Sequence, residues 1–432
     1  MTARPATSAA YVPDQARCTG AGLRIVRLAN FVTPESGGLR TALRALGAGY
    51  RAAGHEPVLV VPGPAVRDET TDQGRVITLP GPVLPGTGGY RVLADRRRVR
   101  RVLEVLAPDR LEVSDRTTLR WTGEWARRAR VPAVMVSHES VDGVLRAWGV
   151  PRGPARAAAD RVNLRTAHAY SRVVCTTEWA AAEFARLGAR NVVRAPLGVD
   201  LTYRHPGLRS VQLRRRCAGG AGVLLLLCSR LSPEKRPGRA LDVLAELRWR
   251  GVDAALVVAG DGPLRSRLAA RARVERLPVV FLGHLADPAE LAALQAAADV
   301  ALAPGPAETF GLAALEALAC GTPVVASAAS ALASLVGRGD TALDDGASYA
   351  DAVLRVLARP EAHRRAAARQ RAEGYGWQPA VAAFLAAHDA AAEPVRPLVT
   401  PVTPPGRPGG PEAVGTVPVR PVPPAVGPSG RR

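Results

Sequence analysis

Twice along this 432-residue chain, short apolar runs alternate with amphipathic helical patterns, and few folds accommodate that alternation. In the first half the runs predict strands at 23–28, 57–61, 110–113, 132–137, 172–176 and 192–195, with a helix over 39–53 that Gly54 closes as a C-cap. The second half repeats the grammar, with strands predicted at 222–228, 254–259, 279–282, 299–303 and 323–326 and helices at 236–250, 263–272, 287–297 and 311–319. The fold class is α/β: two similar domains, each a mainly parallel sheet between helices. Open sheets of this kind bind ligands beyond the carboxyl ends of their strands. The site is therefore expected in a cleft between the two halves.

Composition sharpens this outline. With 47% hydrophobic residues the chain can bury two cores. Residues 1–22 lack periodicity and 392–432 are rich in Pro, Val, Gly and Arg, so both ends read as disordered. Between them lie a first domain at 23–198 and a second at 199–375, with 197–220 as the linker and a helix at 376–391 expected to return to the first domain. The net charge of +20 would attract any polyanion. Nucleic acid is the weak choice, because aromatics are only 4% and no zinc-finger, RNA-recognition or helix-turn-helix pattern is present. The five cysteines are scattered, with no Cys-x-x-Cys pair, which suggests a reduced cytoplasmic protein without disulfides or structural zinc. No apolar stretch approaches the roughly 18 residues of a membrane span and no leader pattern opens the chain, so any membrane contact is expected to be peripheral.

Two segments carry chemistry. In A-P-G-P-A-E-T-F-G-L-A-A-L-E-A-L-A-C-G-T-P-V-V-A, residues 303–326, a strand ends, a loop carries Glu308, and a helix begins near Gly311 with Glu316 inside it. A helix start offers free N–H groups and the positive end of its dipole to an anion. With about 1.5 Å rise per residue, Glu316 lies roughly 7 Å beyond the helix start, a spacing that suits two parts of one extended ligand. In L-L-L-L-C-S-R-L-S-P-E-K-R-P a buried strand runs straight into Arg230 and Lys235, two cations where a diphosphate would gather charge. Only one of the 58 basic residues is lysine, Lys235, so the chain keeps a compact ammonium there while using arginine at every other basic position. His138 and Glu139 end the strand V-P-A-V-M-V-S-H-E and point the first domain's chemistry toward the cleft, while Asp115 in L-E-V-S-D-R is an acceptor-side candidate. In 91–106, Val92, Val99, Leu103 and Leu106 share one face and Arg96, Arg97, Arg98, Arg100 and Arg101 supply charge, a pattern that fits either an anionic membrane surface or an ordinary packed helix.

These features jointly resemble the family 4 glycosyltransferases, over about 23–390. The resemblance rests on the E-x7-E motif at Glu308 and Glu316, S-R-L-S-P-E-K, A-G-D-G-P-L at 259–264, F-L-G-H-L at 281–285 and P-L-G-V-D at 196–200. It implies the GT-B fold of two Rossmann-like domains and a transfer that retains anomeric configuration. It also implies roles. Glu308 and His138 would contact the transferred sugar, Glu316 the ribose, Arg230 and Lys235 the diphosphate, and Gly283, His284 and Leu285 the base. Gly37 and Gly38 would let the backbone approach donor phosphate and acceptor, and Phe310, Gly311 and Leu312 would complete the donor wall; Asp115 and Glu139 would serve the acceptor side. The stretches E-V-S-D-R-T-T-L-R, V-S-H-E-S-V-D and V-V-C-T-T-E look most like actinobacterial GDP-mannose-dependent α-mannosyltransferases with lipid-linked or glycolipid acceptors. The chain has no Asp-x-Asp pair, so neither metal nor other cofactor is expected beyond the nucleotide-sugar co-substrate. A UDP-sugar donor with a small or polysaccharide acceptor, and a nucleotide-sugar epimerase of the same fold, stay open at this point.

Overall fold

The computed structural model describes residues 22–32, 37–84, 89–138, 140–147, 149–306, 308, 310–337 and 340–389. All belong to one unit, Met1–Pro394, and the predicted terminal segments lie outside the described residues, apart from Gly22.

The first half contributes β1 (Arg24–Leu28), β2 (Glu56–Gly63), β3 (Arg67–Thr71), β4 (Gly74–Pro80), β5 (Arg110–Val113), β6 (Ala133–Ser137), β7 (Arg172–Cys175) and β8 (Val192–Arg194). They form one sheet in the order β3-β4-β2-β1-β5-β6-β7-β8, parallel except for β3, which runs antiparallel to β4. The second half contributes β9 (Val223–Cys228), β10 (Ala254–Ala259), β11 (Val279–Gly283), β12 (Val300–Ala303), β13 (Val324–Ser327) and β14 (Thr341–Ala342). These pair in parallel in the order β11-β10-β9-β12-β13-β14. Leu224, Leu225, Leu226 and Leu227 of β9 are all fully buried, as a central strand covered by helices on both faces must be.

The strand order fixes where ligands can sit. In the first sheet β1 has β2 on one side and β5 on the other, and in the second β9 lies between β10 and β12. At such reversals the connecting helices leave to opposite faces and open a crevice beyond the strand ends. Gly37 and the helix start at Gly38 follow β1, Arg230 and Lys235 follow β9, and Glu308 follows β12.

Three expectations change. The segment 67–80 is a β-hairpin that the apolar pattern did not announce, because β3 is an exposed polar edge strand (R-D-E-T-T) and has no apolar run to betray it. The basic helix spans Arg96–Leu106 only; Asp95 caps it by accepting from the Arg98 N–H at 3.0 Å, and Val92 is buried ahead of it. The predicted linker is folded onto the second half: it forms the helix Val211–Ala218, capped by Ser210, and its arginines pair with distant carboxylates.

The helix Trp377–Ala387 packs against the helix Gly38–Ala52 of the first half. Arg110 donates to the His388 carbonyl at 2.6 Å, and Arg172 donates to the Ala386 and Ala387 carbonyls at 3.0 and 2.9 Å. Beneath this contact lies a buried ionic knot. Glu112 accepts from Arg27 Nε at 2.8 Å and from the Tyr50 hydroxyl at 2.7 Å, and lies 3.1 Å from His388 Nε2. Burial pushes the Glu112 carboxyl up, yet Arg27, His388 and Tyr50 together bring it well below the usual carboxylate range.

Candidate active site

The second half builds one wall from three loops. Arg230 follows β9 after Ser229, and Lys235 ends the short 3-10 turn Pro233–Lys235. The A-G-D-G-P-L loop after β10 holds this segment in place. Leu231 N–H donates to the Asp261 carbonyl at 2.9 Å, and Leu264 N–H donates back to Leu231 at 3.0 Å. Such close packing requires glycine: a Cβ at Gly260 (φ +141°) would lie 1.9 Å from the Ser229 carbonyl oxygen, and one at Gly262 (φ +156°) 2.6 Å from that of Leu231.

After β12 the chain passes over Lys235, where a Cβ at Gly305 would stand 3.3 Å from the Lys235 Cα. The carbonyl of Glu308 accepts from the Ala331 N–H at 3.0 Å, and its carboxylate takes the Lys235 ammonium at 2.5 Å. Both side chains stay partly open, 28% and 20% exposed. Gly311 then adopts φ +70° and caps the helix Leu312–Ala319; having no side chain, it makes no side-chain bond to the helix's first N–H groups. Glu316, one turn in, is 13% exposed; Arg204 Nη2 stands 3.0 Å from its Oε1 and Gln295 Nε2 3.3 Å from its Oε2. Burial raises the Glu316 carboxyl, and Arg204 and Gln295 offset part of that rise.

Arg230 is half-exposed. Its guanidinium bonds Glu234 at 2.8 Å and lies over the Tyr90 ring of the first half, 4.8 Å from the centroid. Burial pushes Glu234 up, but bonds from Ser232 and Arg230 leave its carboxyl lowered. Each of the two cations expected at a diphosphate therefore already holds a carboxylate, so an arriving anion has to displace or share Glu234 and Glu308.

The two halves meet at this wall. The helix Val141–Ala147 lies against the turn that carries Lys235. A Cβ at Gly38 would stand 3.6 Å from Leu312 Cδ1, so the starts of the helices Gly38–Ala52 and Leu312–Ala319 face each other across the crevice. Among the described residues, nothing stands within 4 Å of the corresponding position at Gly37. His138 follows β6 with Nε2 3.2 Å from the Ser114 hydroxyl. Burial lowers its pKa to about 4, aided by Arg27 and Arg116 and opposed by Glu112, so the ring is neutral at physiological pH.

Gly283 (φ +73°) ends β11 and its carbonyl accepts from the Gly260 N–H at 2.7 Å, leaving His284 exposed beside the loop of Asp261 and Leu285 packed partly into the core. Phe310, predicted on the donor wall, turns instead to the crossing between halves and meets Tyr375 edge-on, ring centroids 6.2 Å apart. Asp115 is corrected. It is 4% exposed and accepts from Asn30 Nδ2 at 2.8 Å, the Thr117 and Thr118 hydroxyls at 2.5 Å each, and the Thr117 N–H at 2.7 Å. A carboxylate so fully bonded braces its loop and has no capacity left for an acceptor. Glu139 lies outside the described residues.

Tyr90, Arg204, Gln295 and Gly305 were not read from the sequence. The Thr-Thr pair after Asp115 was a legible sign of an Asx turn. Among the described residues there is no group of three or more His, Cys, Asp or Glu side chains that could hold a metal ion, and no helix long and apolar enough to cross a membrane.

The chain resembles known proteins along most of its length. Residues 220–373 match the Glycosyl transferases group 1 family and residues 37–198 the Glycosyl transferase 4-like domain. A GDP-mannose-dependent alpha-(1-6)-phosphatidylinositol dimannoside mannosyltransferase of Mycobacterium tuberculosis is 50% identical over 370 residues, covering 84% of this chain and 95% of the relative. A GDP-mannose-dependent alpha-mannosyltransferase of Mycolicibacterium smegmatis is 30% identical over 322 residues, 73% of this chain and 82% of its own. Among solved structures, the sucrose-phosphate synthase of Thermosynechococcus elongatus superposes with a TM-score of 0.67 at 21% identity, over 84% of this chain and 97% of that one.

Proposed function

The chain belongs to the family 4 glycosyltransferases of the GT-B fold, and from that premise we propose that it transfers mannose from GDP-mannose, with retained configuration, to a hydroxyl of a glycolipid. The observation that carries the reading is the Lys235–Glu308 pair seated beside the start of the helix Leu312–Ala319, whose N-cap is Gly311. Two mannosyltransferases that resemble the chain along most of its length supply the choice of donor, and the first of them the glycolipid acceptor.

In this reading the diphosphate lies between Arg230, Lys235 and the helix start, and takes their positive charge as the glycosidic bond breaks. Glu308, released from Lys235 by the diphosphate, accepts from sugar hydroxyls. Glu316 accepts from the ribose, and the Gly283–Leu285 segment borders the base. Neutral His138 offers a hydrogen bond to the sugar from the first half without adding charge near the developing cation. The halves exclude water around it, which strengthens each of these contacts.

The acceptor implies work at a membrane surface, and we place the protein in the cytoplasm, peripherally at the inner face of the membrane. The helix Arg96–Leu106 supports electrostatic contact there. Val99, Val102, Leu103 and Leu106 are committed to the core, while Arg96, Arg97, Arg100 and Arg101 are exposed. Binding through such a face is salt-sensitive, about 1 kcal/mol per arginine at an anionic surface, and needs no insertion.

The deciding experiment is a binding and hydrolysis screen of the full chain with GDP-mannose, UDP-glucose, UDP-GlcNAc and GDP, followed by transfer to vesicle-borne mannosylated phosphatidylinositol. GDP-mannose should bind and turn over. Binding of a UDP-sugar with none of GDP-mannose would overturn the assignment.

A further inference from the structure

Glu316 does not stand alone on its helix. Arg204 reaches it from the segment that leaves the first half, and the same guanidinium donates to Gln295 Oε1 at 2.5 Å while Gln295 Nε2 donates to Glu316 Oε2 at 3.3 Å. The three side chains close a triangle in which each touches both of the others. Gln295 is fully buried and Arg204 is 8% exposed. The backbone behind Arg204 is rigid as well. Asp200 Oδ1 accepts from the Thr202 and Tyr203 N–H groups at 3.0 and 2.8 Å. Arg369 clasps the Arg204 carbonyl at 2.8 Å together with that of Ala319, the last residue of Glu316's own helix, at 3.0 Å.

A buried ion pair is a poor way to stabilise a fold, since well-packed apolar residues of similar volume often serve as well or better. The arginine-rich composition explains exposed arginines, not one taken almost wholly out of water. What such a triangle does supply is a carboxylate with a single orientation, because rotating either oxygen away breaks a bond to a group that cannot follow. We propose that Arg204, acting directly and through Gln295, is the positioning residue that fixes the Glu316 carboxylate for the donor ribose. This rests on the reading of Glu316 as the ribose contact, and it adds that ribose recognition is anchored in the segment joining the two halves.

The test compares GDP with 2′,3′-dideoxy-GDP by titration calorimetry on the full chain. A hydrogen bond to a charged group contributes about 1.5–3 kcal/mol, so the wild type should prefer GDP by roughly 10- to 100-fold. Arg204→Met should reduce that preference to about threefold or less while binding of dideoxy-GDP changes less than about twofold, and Arg204→Lys should keep part of the preference. With GDP-mannose as substrate, KM should rise and kcat stay within about twofold. In a Glu316→Gln background the added Arg204→Met should cost no further preference. If Arg204→Met melts near the wild type and still discriminates fully, the proposal is overturned. Should Arg204→Met not fold, undiminished discrimination in Arg204→Lys overturns it equally. A wild type that does not discriminate, or a Glu316→Gln variant that discriminates as well as wild type, would instead refute the ribose reading beneath it.

Discussion

Gly311 gives the sharpest single prediction. It sits at φ +70° between the loop of Glu308 and the helix of Glu316, and a Cβ there would lie 2.5 Å from Leu332 Cδ2. Two costs follow for Gly311→Ala. The left-handed conformation costs an L-residue about 1–2 kcal/mol. Overpacking against Leu332, itself only 1% exposed, adds about 1–3 kcal/mol. The sum is about 2–5 kcal/mol, and the two parts separate in a double-mutant cycle. Leu332→Ala alone costs about 2–5 kcal/mol as a cavity, but in that background Gly311→Ala retains only the backbone cost of about 1–2 kcal/mol. Urea unfolding followed by far-UV circular dichroism reads all four corners, and GDP affinity should weaken along with stability because the helix start moves. A penalty under about 0.5 kcal/mol, or an equal penalty in both backgrounds, would refute the reasoning.

Lys235→Ala should lower kcat by about 10²–10³ with an unchanged melting temperature; near-normal turnover removes Lys235 from the chemistry. Glu112→Gln leaves Arg27 and His388 without their buried partner, and calorimetric unfolding should register a loss of about 3–5 kcal/mol. Because the folded-state pKa of Glu112 is depressed, its contribution is present above about pH 4.5, the ordinary value, and fades only as pH falls below that. His138 behaves differently: the folded ring resists protonation down to about 4 whereas the unfolded one titrates near 6.5, so stability should decline as pH drops through that window. His138→Leu should flatten that part of the stability–pH curve, and an unchanged slope would place His138 in a more open setting.

The buried strands were legible because a parallel strand covered on both faces has no choice but a continuous apolar run, as in V-L-L-L-L-C. The cleft loops were legible because charged residues follow apolar strand runs there, Arg230 and Lys235 after β9 and Glu308 after β12, and because those segments match the E-x7-E and S-R-L-S-P-E-K motifs. What escaped has one physical origin, that a polar side chain's sequence neighbours do not tell which way it faces. Arg204, Arg209 and Arg214 fall in the segment that reads as a linker because their partners, Glu316, Glu361 and Asp299, lie at least 85 residues away. Asp115 read as an outward carboxylate because it follows a strand end, although two threonines beside it supply donors enough to hold it inward. Tyr90 could not be assigned, since its value lies in meeting Arg230 across the crevice.

Among the described residues the chain crosses between halves at two points, and they touch. Val199 pairs with Gly376 in parallel, and Gly198 has no room for a side chain because a Cβ would lie 2.7 Å from the Trp377 backbone. Departure and return at a single place make the second half an insertion within the first, spliced in at adjoining ends. Such an arrangement has the form of a cassette: a different α/β domain grafted between residues 199 and 375 would meet the same doorway and leave the sheet and core of the first half as they are.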